Sequence, residues 1–185
     1  MEVWHESSTF PGKLAIKYNT KDSKSGMLFE NNKISVFNNG VLTLSKPMVH
    51  DLLLTAFDVY FYKPYETMRL LDSLGYNLKL VREDNIEARK VLVIGAKQGD
   101  ETSNQIWIDA ERFYLVRLIY KQGKEINDIT LSNYEKIENN WVAKKLFFKN
   151  NGVLVQSEEY FDIKFPKELN PDIFKPEKFV ETTLD

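Results

Sequence analysis

The chain has no cysteine, and histidine occurs only at His5 and His50. Disulfides, zinc–thiolate sites, iron–sulfur clusters and thiol catalysis are thereby excluded, as is a multi-histidine metal centre. No stretch approaches the ~20 apolar residues of a membrane-spanning helix. The opening Met1-Glu2-Val3-Trp4-His5-Glu6 has neither the basic head nor the apolar run of a signal peptide. Either the protein is cytoplasmic or the chain is a mature or trimmed form. An excess of one charge is also missing. Lys and Arg number 25 and Asp and Glu 27, a net charge of −2, which leaves no electrostatic footprint for nucleic acid or an anionic membrane surface.

Catalytic signatures are equally scarce. There is no Gly-x-Ser-x-Gly elbow and no EF-hand ligand spacing. The run Gly95-Ala96-Lys97-Gln98-Gly99 is too short and too loose for a phosphate loop. Glu83-Asp84, Asp100-Glu101 and Glu158-Glu159 are adjacent carboxylates. Neighbours in an extended segment point to opposite faces, so none of these pairs converges on one substrate atom. His5 reads as an edge-strand residue and His50 as a helix cap rather than as a general base. No catalytic residue, cofactor or metal ligand is expected.

What is present is a β-rich pattern with an apolar surplus. The 185 residues suit one domain, able to bury about 70% of the surface its unfolded chain exposes. Aromatics reach 13%, which in a chain this charged points to strands carrying bulky side chains toward an apolar space. Residues 13–18 alternate Leu14, Ile16 and Tyr18 against lysines, the period of a half-buried strand. Turn signals at Asn31-Asn32, Asn39-Gly40, Asn139-Asn140 and Asn151-Gly152 space out a meander of antiparallel hairpins.

The period changes once. Residues 50–62 are too apolar for a one-faced surface helix. Pro64 and Glu66 suit the first turn of a second helix, and Gly75 suits its end. From residue 77 strands return, at 78–81, 90–96, 105–109, 113–121, 128–137, 141–149 and 153–165. The stretch 90–96, apolar on both faces, predicts a covered strand. The proline-bearing tail, residues 166–176, predicts an extended segment pinned by Phe174 and Phe179. The expected architecture is α+β but mainly β: a curled antiparallel sheet, or half-open barrel, with a helical insert covering its concave face.

Several stretches, in this order, resemble the LolA-like group of bacterial outer-membrane lipoprotein-sorting proteins. They are Leu52-Leu53-Leu54-Thr55-Ala56-Phe57-Asp58, Leu70-Leu71-Asp72-Ser73-Leu74-Gly75-Tyr76, Asn104-Gln105-Ile106-Trp107-Ile108-Asp109-Ala110-Glu111-Arg112-Phe113, Asn133-Tyr134-Glu135-Lys136, Trp141-Val142-Ala143-Lys144 and Asn170-Pro171-Asp172-Ile173-Phe174-Lys175-Pro176. The likeness runs from about Glu2 to Phe179. It implies a single LolA-like domain over 1–185, a half-open barrel under a helical lid, and a non-catalytic carrier of lipid or lipoprotein acyl chains. It also implies a periplasmic or outer-membrane-associated location, with the signal peptide removed and the start of the chain trimmed. No position matches the lid-locking arginine of the classical carrier. The alternative is an envelope protein-interaction module that uses the same fold with a solid core. For the carrier, the expected cavity lining is Leu53, Phe57 and Phe61 at spacings of four, Met68 and Leu71 on the second helix, and Phe37 and Trp107 on strands opposite them.

Overall fold

Asparagine turns set the hairpins of the fold. In a computed structural model describing residues 1–184, Asn39 and Gly40 have φ of 49° and 83°, and Asn151 and Gly152 have 48° and 83°. Both central residues of such a turn need positive φ so that its twist matches that of the flanking strands, and Asn-Gly supplies them. The strands run β1 (Trp4–Thr9), β2 (Lys13–Tyr18), β3 (Gly26–Glu30), β4 (Lys33–Asn38) and β5 (Val41–Pro47). They make one five-stranded antiparallel sheet in chain order.

The insert follows as α1 (Asp51–Ala56), a 3-10 turn at Asp58–Tyr60, and α2 (Pro64–Ser73). Then come β6 (Val81–Ile86), β7 (Arg89–Ile94), β8 (Gln105–Asp109), β9 (Leu115–Gln122), β10 (Glu125–Ile137), β11 (Asn140–Asn150) and β12 (Val153–Glu159). These form a second antiparallel sheet of seven strands, also in chain order, and neither sheet closes on itself. The mainly β, antiparallel architecture with a helical insert is as the patterning predicts. The meander is realised as two sheets rather than one interrupted sheet. Among the described residues no helix is long and apolar enough to cross a membrane.

Boundaries differ from the sequence expectation in several places, among them β9, which starts at Leu115 rather than 113, and β10, which starts at Glu125 rather than 128. Residues 78–80 form a turn and the strand starts at Val81. β12 stops at Glu159, well short of residue 165. The apolar run 50–62 is not one helix: α1 ends at Ala56, because Phe57 adopts φ −135° and ψ −58° and leaves the helical path.

The chain divides into two compact units, one comprising Met1–Lys63 with the closing segment from Phe165 on, the other Pro64–Lys164. In the first unit side chains pack on both faces of the five-stranded sheet. Ala15, Leu28 and Phe37 project to one face, where Ile173, Phe174, Phe179 and Leu184 of the closing segment fill the core. Phe174 and Phe179 pin the tail as expected. Phe29 and Ile34 project to the other face and pack with Leu53 of α1. In the second unit Ile106, Leu118, Ile129, Leu131 and Leu146 are buried on one face of the seven-stranded sheet.

Candidate functional site

The insert side of the five-stranded sheet is incompletely covered. Phe29, Ile34 and Leu53 are buried there, but Phe10, Leu14, Met27, Val36 and Met48 are only partly so. β5 is exposed along its whole length. Its Leu44 pairs with Val36, so it shares that face, and it is 42% exposed. Phe57 and Phe61 are 40% and 59% exposed. Both stack on Phe10 of the β1–β2 turn, with ring centroids 4.9 and 5.6 Å apart.

A polar corner lies beside this apolar face. His50 caps α1, its Nδ1 accepting a hydrogen bond from the Leu53 amide at 3.2 Å, as the cap reading of the sequence predicts. That bond puts the ring proton on Nε2 in the neutral form. The ring meets Phe29 edge-on at 4.5 Å. Burial pulls the His50 pKa down to about 4. Asp58, in the 3-10 turn, is buried and accepts the Gly12 amide at 2.8 Å. Burial pushes its carboxyl up to about 6, against the pull of the Gly12 bond. Gly12, Lys33, His50, Leu53 and Asp58 line a pocket of about 10 Å³, room for one water.

The expected cavity residues divide between environments. In the first unit, Leu53 is buried on the insert side with Phe57 and Phe61 near its exposed rim. The break at Phe57 means they do not share one helix face. Phe37 lies on the opposite face, stacked on Phe179 at 4.3 Å. In the second unit, Leu71 is buried in α2 whereas Met68 is 56% exposed. Trp107 pairs with Val93 and Arg117, so it projects away from the face of Ile106 and Ile108. It packs with Val91, Val93, Tyr114 and Val116, between the guanidinium groups of Arg82 and Arg117 at 5.2 and 5.3 Å. Its indole N–H donates to Gln105. The sequence reading did not single out Phe10 or Asp58 for the site. The signal for Asp58 is its place as the one acid between Leu52 and Tyr62.

Of the adjacent carboxylates, Glu83, Asp84, Asp100 and Glu158 have partners of their own. Glu83 pairs with Lys90 and Asp84 with Arg82. Asp100 accepts from the amides and hydroxyls of Thr102 and Ser103, which hold it well below the usual carboxylate range. Glu158 accepts from Tyr160 and Gln156, while burial pushes its carboxyl up. Among the described residues no group of three or more His, Asp or Glu is placed to hold a metal.

No family model matches the chain, and no curated protein matches its sequence. A crystal structure of a LolA superfamily protein from Nitrosomonas europaea is similar to it over 94% of this chain and 81% of that one, with a TM-score of 0.58 and 14% identity. At that identity the likeness is one of fold. Two open antiparallel sheets joined through a helical insert give this chain a LolA-like fold.

Proposed function

We propose that the chain binds an acyl chain, of a lipid or a lipoprotein, against the insert side of its five-stranded sheet, and carries it without chemical change. The observation that supports this is the incomplete cover of that face: Leu44, Phe57 and Phe61 leave apolar area in water beside a formed core. Exposed apolar area that continues a core is the usual mark of a ligand or partner surface. The LolA-like fold and the sequence resemblance favour a lipidic ligand, and with it a place in the bacterial envelope, in the periplasm or at the outer membrane. The one-water pocket is too small for an acyl tail, so on this reading the ligand lies along the exposed rim or enters when the insert lifts.

The test is titration with a fluorescent fatty acid. The parent is expected to bind, and Phe61→Ser to weaken binding about tenfold, the worth of covering most of one aromatic side chain. Trp141→Ser, in the second unit, serves as the control and should leave binding unchanged. A parent that takes up no probe overturns the reading.

The second reading is a docking module that uses an exposed edge strand or the outer sheet face, and the apolar surface of β12 favours the latter. β12 ends the seven-stranded sheet with Val153, Leu154 and Val155 exposed. A bulge at Val155, where the register with β11 shifts, weighs against strand addition, because bulges twist an edge away from a flat partner. Co-purification of lipid in native mass spectra favours the carrier. A bound protein without lipid favours docking.

A further inference from the structure

Three groups join the β1–β2 turn to the insert. Pro11 has no N–H, so Gly12 supplies the turn's donor, to Asp58. Phe10 stacks on Phe57 and Phe61. Gly12 has φ +80°, and a Cβ there would stand 3.3 Å from the Tyr62 hydroxyl, so turn and insert fit closely. A directional bond, from a backbone amide to a buried carboxyl, thus accompanies the aromatic contact.

We propose that Asp58 and the β1–β2 turn form a releasable clasp that holds the 3-10 turn of the insert, with Phe57 and Phe61, against the apolar face while α1 and His50 stay seated on Phe29, and that the Gly12–Asp58 bond is the element that yields when this face opens. The proposal deepens the ligand reading and, as a gate, rests on it. The clasp is sensitive to pH through Asp58. Closed, the carboxyl keeps its proton up to about pH 6; released into water it would titrate near 3.8. Closing therefore takes up a proton between those values. The closed state is fully favoured below about pH 4 and loses that advantage as pH rises through 6, by up to about a hundredfold in the closing equilibrium.

The groups around Asp58 leave this sign intact. From the β1–β2 turn it meets the Gly12 amide, which is uncharged. From the β3–β4 turn the pocket receives Asn32 and Lys33. From α1 it receives His50, whose ties to the Leu53 amide and the Phe29 ring do not involve the turn, so its proton follows α1 rather than the clasp. The Tyr62 hydroxyl lies behind Gly12.

The experiment is amide exchange at Gly12 between pH 4.5 and 7.5, corrected for intrinsic rates, with the Leu28 amide of the core as reference. The expected result is that Gly12 protection falls by about twenty- to thirtyfold with rising pH over that range while Leu28 stays protected. Asp58→Asn keeps an acceptor without an ionisable group, and should give a flat Gly12 profile. Phe10→Ala should lower protection at every pH and keep the wild-type slope. A pH-independent Gly12 in the wild type, or an unchanged slope in Asp58→Asn, overturns the clasp. Exchange needs no ligand, so the two readings fail separately. A pH-dependent clasp without uptake of the fatty-acid probe sinks the ligand reading alone. Probe uptake with a pH-insensitive Gly12 sinks the clasp alone.

Discussion

Lys17 shows what one side chain does in this fold. It is fully buried, and its Nζ donates to the carbonyls of Phe179, at 2.8 Å, and of Thr182, while standing 4.8 Å from the Phe179 ring centroid. Burial lowers its pKa, and Asp22 partly restores it. Lys17→Ala leaves two carbonyls without their donor. It should cost about 2–3 kcal/mol, the range of a charged hydrogen bond, read as a lower midpoint in urea.

His50 and Asp58 supply opposite pH slopes at the same scale. His50, held down to about 4, adds stability that is present above pH 6.5 and lost as pH falls through 4. Asp58, held up to about 6, adds stability that is present below 3.8 and lost as pH rises through 6. In the wild type the two slopes largely cancel between pH 4 and 6.5. His50→Asn keeps a capping side chain and should leave stability falling as pH rises. Asp58→Asn should leave it rising. Urea unfolding at pH 4.5 and 7 checks both signs, and equal slopes in the two variants would contradict the pairing.

At the scale of elements, the closing segment is as much a part of the first unit's core as any strand. Phe179 is fully buried beneath Lys17 and stacked on Phe37. Phe179→Ala should cost about 3–5 kcal/mol, whereas Phe161→Ala, at an exposed position, should cost little. Thermal unfolding of the two variants separates them. The exposed outermost strands β5 and β12 share a device: each carries one extra residue, Thr43 or Val155, where its register shifts. Such bulges keep an apolar edge from pairing with another chain. Removing Val155 should restore a regular ladder with β11 and promote self-association, visible as earlier elution with rising concentration on a sizing column.

At the scale of the molecule, every strand pairs with its sequence neighbours within its own sheet, but the two units differ in continuity. Pro64–Lys164 is one uninterrupted stretch with its own sheet and buried face. Expressed alone, it should fold and unfold cooperatively by circular dichroism. Residues 1–63 alone lack Ile173, Phe174, Phe179 and Leu184, which fill one face of their sheet. That fragment should not reach a native fold unless the closing segment is supplied. A cooperative, stable 1–63 would contradict the role given to the segment.

Local chemistry determined a large part of this protein. The Asn-Gly turns, the alternation of residues 13–18, the cap at His50, the second helix from Pro64 and the pinned tail were all legible, because each depends on residues within a few positions of one another. What only the tertiary structure decided is which face meets which partner. A period of two says that Phe37 and Val36 point opposite ways. It does not say that Phe37 meets Phe179 while Val36 faces the insert, or that Trp107 turns from Ile106 toward two arginines. The helical spacing of Leu53, Phe57 and Phe61 held only as long as the helix did. It broke at Phe57, just before the carboxyl of Asp58, which found its donor at Gly12, 46 residues away. Burial creates that bond's strength and its sensitivity to pH, and burial is a property of the folded neighbourhood, not of the residue.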